Sequence, residues 1–280
     1  MPNSHRLNPD QSINLIEIPT RADQYHKDRD SAEDEFRSLR DDLIEYQRRF
    51  YADGKRKLLI VLQAMDAGGK DGTIRSVFKG VNPQGVQVTS FKVPTRHELA
   101  RDFLWRVHMS VPPKGMIGVF NRSHYEDVLV VRVHDIVPEE VWRPRYAHIN
   151  AFEKLLVESG TSVLKFYLHI SSEEQKQRFQ ARLDEPEKNW KFSLEDLEKR
   201  KLWDHYSDAY EEMLEKTTTN WAPWYVIPSD QKWYRNLAIA HVLVATLKNL
   251  DPQYPKPEGD YRGVVIEQRY LASRALIEMD

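Results

Sequence analysis

Leu58-Leu59-Ile60-Val61-Leu62-Gln63-Ala64-Met65-Asp66-Ala67-Gly68-Gly69-Lys70-Asp71-Gly72-Thr73 decides the fold. Leu58–Gln63 reads as a buried strand, Gly68-Gly69-Lys70 as a turn, and Gly72–Lys79 as the helix that follows. Where a strand hands over to a helix through glycines, backbone N–H groups and the lysine converge on one point, which suits a phosphate. Ala67, Gly68, Gly69, Lys70, Asp71, Gly72 and Thr73 are therefore the expected phosphate-binding residues. The loop departs from the strict pattern in three places. Ala64 replaces the first glycine, Asp71 replaces the hydroxyl residue, and Thr73 comes two positions later. Asp66 and Asp71 bring negative charge to a phosphate cradle, where it repels the ligand unless a divalent cation lies between. The loop reads as a phosphoryl-transfer site that needs metal.

Outward from this loop, apolar strand patterns alternate with helical ones. Gly85–Phe91, Gly115–Phe120, Ser162–Ile170 and Ala222–Ile227 read as strands. Thr95–Met109, most of Pro138–Ser159, the stretch opening at Ser171 and Lys232–Asn249 read as helices. The pattern predicts an α/β fold, a parallel sheet flanked by helices, with its ligand beyond the carboxyl ends of the strands. Upstream, Ser31-Ala32-Glu33-Asp34 reads as a helix start. Phe36, Leu39, Leu43, Tyr46 and Phe50 draw one apolar stripe, suited to core packing or, alternatively, to a subunit contact. The expected organisation is an N-terminal arm over 1–30, one domain over 31–250, and a C-terminal tail over 251–280.

Bulk properties narrow the classes. The 280 residues are 40% hydrophobic and 30% charged, with a net charge of −2, so no global basic field advertises nucleic acid. The absence of cysteine excludes disulfides, thiolate metal sites and a cysteine nucleophile. No signal core and no membrane-length apolar run is present, so a cytoplasmic setting without membrane contact is expected.

A second constellation, Asn121-Arg122-Ser123-His124-Tyr125-Glu126-Asp127, follows the apolar strand at Gly115–Phe120. In phosphate-loop enzymes a neighbouring strand end supplies a second group near the metal. Arg122 has the planar fork to clamp a phosphate, although pairing with Glu126 or Asp127 is the plainer alternative. His124 and Tyr125 read as packing and positioning groups. The third constellation places Arg178 and Arg182 four apart on one helical face. The helix breaks at Pro186, and Ser193-Leu194-Glu195-Asp196 restarts one with a capping-box pattern. This excursion, about 172–200, reads as an arginine-bearing lid. Trp105, Trp142, Trp203 and Trp233 read as core, and Trp190, in the lid break, as a ligand neighbour.

Met65–Thr73, Asn121–Val128 and Asn189-Trp190-Lys191-Phe192-Ser193, in this order and spacing, resemble the polyphosphate kinase 2 family over roughly residues 30–250. The resemblance implies a thymidylate-kinase-like P-loop kinase core with a helical lid, and phosphoryl transfer between inorganic polyphosphate and nucleotides (AMP, ADP, ATP) with Mg²⁺. On that basis Asp66 would coordinate metal and orient the accepting phosphate, and Lys70 would neutralise the transferred one. Arg122 would clamp phosphates from the second strand, Arg178 and Arg182 from the lid. Asn121, Arg122 and Glu126 are the expected nucleotide contacts. Many members that phosphorylate nucleoside diphosphates carry Asp-Arg-Ser-Trp-Tyr-Asn-Arg at the second constellation. The variant here is similar to the subgroup accepting both AMP and ADP. It removes one carboxylate beside the metal, a role that Asp127 would take up in part. Catalytic residues are thus expected at Asp66, Lys70, Arg122 and Asp127, metal ligands at Asp66 and Asp127, and assembly as a homo-oligomer, dimer or tetramer. The competing readings are an ATP-dependent nucleoside or nucleotide kinase on the same fold and a non-enzymatic phosphate sensor. Asp66 speaks against the latter, because a pure anion binder gains nothing from a carboxylate in its cradle.

Overall fold

The computed structural model describes residues 4–259 and Arg262. Residues 1–3 of the expected arm, and the tail beyond 259 apart from Arg262, lie outside the described residues. Five strands form one sheet: β1 (Lys57–Gln63), β2 (Val86–Ser90), β3 (Ile117–Asn121), β4 (Thr161–His169) and β5 (Trp224–Pro228). Their spatial order is β2-β3-β1-β4-β5, and every neighbouring pair is parallel. The helices are α1 (Arg29–Asp53), α2 (Lys70–Val77), α3 (Arg96–Leu99), α4 (Trp105–His108), α5 (Glu126–Val133) and α6 (Glu139–Trp142). There follow α7 (Arg145–Glu158), α8 (Ser172–Asp184), α9 (Leu194–Lys201), α10 (Trp203–Thr217) and α11 (Lys232–Leu250).

Strand β1 is apolar from Leu58 to Leu62 because both its faces are covered. Leu59 and Val61 enter a core shared with α5, α7 and α10. Leu58, Ile60 and Leu62 enter the opposite core, with α1, α2 and α11. All five stripe residues of α1 join that second core, Leu43 and Phe50 fully buried. The stripe is thereby core rather than a free subunit face.

Three sequence boundaries shift for identifiable reasons. Helix α1 begins at Arg29, ahead of Ser31, because the Asp28 carboxylate accepts from the Asp30 and Ser31 backbone N–H groups. Thr95–Met109 is two short helices instead of one. Thr95 caps α3 in a reciprocal box with Glu98, but the Asp102 carboxylate then accepts from Leu104 N at 3.0 Å, a local turn that competes with helix. Pro144, which cannot donate a backbone hydrogen bond, separates α6 from α7.

The arm closes one edge of the sheet. Leu7 N donates to Trp224 O and Val226 N to His5 O, both at 2.9 Å, so this segment shields an otherwise open strand. Leu7, Ile13 and Leu15 are buried in the core. His5 lies 2.7 Å from the Tyr234 hydroxyl, and burial pushes its imidazole down to about 4. A depressed histidine leaves stability unaffected above its ordinary value near 6.5 and withdraws it as pH falls from there through about 4, by about 3 kcal/mol. In urea unfolding, His5→Gln is expected to lie below the parent at neutral pH and to close that gap by pH 4. A gap independent of pH would contradict the burial argument.

Candidate active site

Sheet register builds the site. Leu62 of β1 stands opposite Asn121 of β3, and Arg122 N donates to Leu62 O at 3.1 Å. The two loops leaving these strands therefore run side by side. Two cross-links join them: Asn121 Nδ2 donates to Asp71 Oδ1 at 2.6 Å, and Arg122 Nη2 to Asp66 Oδ1 at 2.9 Å.

The phosphate loop is held in an unusual backbone shape. Ala67, Gly69 and Arg122 all have left-handed φ, +59°, +102° and +61°. For Ala67 and Arg122 this stores about 1–2 kcal/mol each, the kind of strain that collects at functional loops. A methyl group at Gly68 would collide with Ala64 Cβ and Met65 O, and one at Gly69 with Arg235 Nη1. Gly69 caps α2 without a side-chain hydrogen bond, so no capping side chain competes for the first N–H groups of the helix, the arrangement an anion site uses.

Lys70 lies across the loop, its Nζ donating to Ala64 O at 2.8 Å. Burial and the Arg122 charge push it down to about 8, against Asp66, Glu126 and Asp71. Burial likewise raises Glu126, opposed by Arg122 and Lys70. Burial works against the Arg122 charge, but Glu126 and Asp66 outweigh it and hold the guanidinium above its ordinary value. Asp66, Lys70, Arg122 and Glu126 thus form one electrostatic group. The Thr73 hydroxyl, expected at the phosphate, instead donates to Gly69 O at 3.1 Å and is buried; it braces the loop from within the helix.

Asp127 departs further from expectation. Its carboxylate lies 3.2 Å from Arg145 Nη1 and 3.9 Å from Arg106 Nη2, and burial lifts it to about 6 despite both cations. Asp66 and Asp127, the expected metal pair, both line one cavity, and Asp127 is held there by two arginines, from α4 and α7. The lid arginines separate. Arg178 donates to Ala67 O at 2.9 Å and to Ser229 O at 2.5 Å, tying the phosphate loop to the end of β5. Arg182 donates to Asp196 Oδ2 at 3.0 Å and Lys191 O at 3.2 Å, joining α8 to α9. Asp196 is thereby drawn away from the expected capping box, and Ser193 caps α9 alone. Trp190 is 79% exposed.

These loops open on a cavity of about 510 Å³. Asp66, Arg122 and Glu126 stand on its wall, α9 contributes Lys199 and Arg200, and Trp203 and Tyr206 add aromatic surface. The donor set for a cation is oxygen only. Asp66 has a protein donor on Oδ1 alone, and Glu126 shares the cavity wall. Among the described residues no group of three or more metal-ligating side chains is assembled. The carboxylates of Asp66 and Glu126 on one wall fit a hard cation that takes one or two carboxylates and completes its shell with water and substrate phosphates.

Sequence patterns did not disclose several parts. Gln175 Nε2 donates to Asp66 O at 2.8 Å, and Arg200 Nη1 donates to Gln175 Oε1 at 2.8 Å, linking α9 to the phosphate loop. Behind Arg122, Glu153 accepts from Tyr125 Oη and from Lys165 Nζ, both at 2.6 Å, and sits 3.2 Å from His124 Nε2. All four side chains are buried, and burial depresses the His124 imidazole. This buried network fixes the turn that carries Arg122, with His124 Nδ1 alone of its side-chain polar atoms left without a partner among the described residues. The fourth unread part is Arg235 of α11, beneath Gly69.

The Polyphosphate kinase 2 (PPK2) family profile matches residues 26–255. An AMP/ADP-polyphosphate phosphotransferase of Meiothermus ruber is 54% identical over 264 residues, 94% of this chain and 99% of its own. An ADP-polyphosphate phosphotransferase of Rhodopseudomonas palustris is 42% identical over 276 residues, 94% of this chain and 96% of its own. The crystal structure of polyphosphate kinase 2 from Arthrobacter aurescens TC1 superimposes with a TM-score of 0.89 at 40% identity, covering 99% of this chain and 96% of that one.

Proposed function

The chain belongs to the polyphosphate kinase 2 family, and from that premise we propose that it transfers the terminal phosphate of inorganic polyphosphate to AMP and ADP. One observation supports the site assignment above the others: a carboxylate inside the phosphate loop, Asp66, is bonded to the arginine of the neighbouring strand at the wall of the cavity.

In the proposed reaction an oxygen of the acceptor's phosphate forms a bond to the terminal phosphorus. The bond to the bridging oxygen breaks in line with it, and the chain leaves one phosphate shorter. A nucleotide phosphate is largely ionised at neutral pH, since its second pKa is about 6, so no general base is needed. What remains is positioning and charge neutralisation. The N-terminus of α2 and Lys70, released from Ala64 O, receive the donor phosphates. Arg122 and Glu126 line the acceptor side with Asn121, and the aromatic wall from Trp203 and Tyr206 accommodates the base. Asp66 would hold a divalent cation, Mg²⁺ in this reading, which when bound supplies positive charge to phosphate oxygens of donor and acceptor. Asp127 serves here through Arg106 and Arg145. Arg178 acts on the loop and Arg182 within the lid.

The acceptor pair AMP and ADP is favoured by the Asn121–Asp127 sequence and by the name of the Meiothermus ruber relative. Assembly as a dimer or tetramer, a cytoplasmic setting and indifference to nucleic acid belong to the same proposal. Among the described residues no helix is long and apolar enough to cross a membrane.

With AMP, polyphosphate and Mg²⁺ but no ATP, chromatography of the products is expected to show ADP followed by ATP. ADP formed only when ATP is the donor would favour an ATP-dependent nucleotide kinase. No transfer from either donor would overturn both readings.

A further inference from the structure

Arg235 is 2% exposed, yet it has no acidic partner among the described residues. Its Nε and Nη2 both donate to the side-chain oxygen of its neighbour Asn236, at 3.2 and 3.0 Å. Among the described residues no carboxylate lies within ion-pairing distance of it. The nearest acidic influence, Glu174, accepts from Arg178 Nε at 2.7 Å. A buried arginine ordinarily has a carboxylate beside it, because an uncompensated charge in a dry interior is expensive. Here the neighbour is a second cation instead. The position that a Cβ would occupy on Gly69 lies 3.2 Å from Arg235 Cζ and 3.4 Å from Arg178 Nη1. Two guanidinium groups, from α8 and α11, thus converge on the residue that caps α2. Burial and the Arg178 charge push Arg235 down to about 9, still protonated at neutral pH. Lys232, one turn earlier, is lowered by burial and by the same Arg178 charge.

The geometry points to Arg235 as a positioning residue of the phosphate loop, whose buried charge is compensated by the polyanionic donor seated on the other side of Gly69. This rests on the polyphosphate reading of the site. Arg235 acts through the loop rather than by touching the chain. Its guanidinium fills the space beside Gly69 that a Cβ would need, and its field adds to that of Lys70 and the α2 N-terminus. Without donor, three like charges repel one another around the loop; with donor, the repulsion becomes attraction. The empty protein is less stable for this arrangement and the loaded one more so.

The test compares Arg235→Gln, which keeps a donor to Asn236 and removes the charge, with Arg235→Lys, which keeps the charge. Thermal melting is recorded with and without polyphosphate, alongside steady-state kinetics with polyphosphate and AMP varied separately. Arg235→Gln is expected to melt at or above the parent when empty and to lose more than half of the polyphosphate-induced rise. Its KM for polyphosphate should increase ~10-fold, the scale of one unit charge acting over several ångströms of protein, with KM for AMP within about twofold. Arg235→Lys is expected to keep most of the rise. Arg235→Gln that melts lower when empty but retains the parent's polyphosphate KM and rise would mark an ordinary structural arginine and overturn the inference. Arg235→Lys that loses the polyphosphate response would overturn it too, and that holds even if Arg235→Gln fails to fold. A parent protein that neither melts higher with polyphosphate nor transfers from it overturns the function itself. A responsive parent with unaffected variants overturns only the role of Arg235.

Discussion

Asp66→Asn is expected to abolish nearly all transfer, with turnover down by at least ~10³. The substitution is isosteric and keeps an oxygen for Arg122 Nη2, which now stands 2.9 Å from Oδ1, so the loop should retain its shape. What it removes is the charge that, in the proposed mechanism, would hold a divalent cation. Charge stabilisation of this kind is worth several kcal/mol, and each 1.36 kcal/mol is tenfold in rate. Steady-state kinetics at several Mg²⁺ concentrations, with circular dichroism as the check on folding, separates loss of metal from loss of structure. Activity near the parent's at equal Mg²⁺ would mean that the cation is held elsewhere and that Asp66 has another task.

Lys70→Ala should lower turnover by ~10²–10³, the scale of removing one preorganised donor from a transition state. Lys70 now donates to Ala64 O and shares its surroundings with Arg122, Asp66 and Glu126. In the proposed reading its ammonium, three rotatable donors on a flexible stem, follows the phosphorus from donor to acceptor. Folding should be little affected, because the bond to Ala64 O is a single side-chain contact and alanine favours the first turn of α2. Lys70→Arg keeps the charge but places a wide fork in a narrow cradle, so recovery of no more than a small part of the rate is expected. Turnover of Lys70→Ala within a few fold of the parent would remove Lys70 from the chemistry.

Local pattern carried the phosphate loop, the strands and the order of the constellations, because each follows from neighbours in sequence. A doubly covered strand carries a run of apolar residues, as 58–62 does, and Gly68 and Gly69 stand where a side chain collides. The bond from Arg122 to Asp66 joins residues 56 apart, and only the pairing of β1 with β3 makes them neighbours. Asp127 shows the limit most clearly. Its place after β3 was legible, but Arg106 and Arg145 reach it from helices that local pattern cannot place. Arg182 likewise looked equivalent to Arg178 on one helical face, until the return of α9 paired it with Asp196. Arg235 lay in a helix whose apolar run reads as core, and its role depends on which loop that helix packs beneath. Partner choice across the sheet is a long-range property, and the spacing of residues along the chain does not contain it.

Terminally ³²P-labelled polyphosphate, incubated with unlabelled AMP and Mg²⁺ in the absence of ATP, follows the transferred group itself. Direct transfer at this site places one label in the β-phosphate of ADP for each terminal phosphate lost from the chain. Label recovered only as free phosphate, with the nucleotides unlabelled, would contradict a polyphosphate-dependent nucleotide kinase.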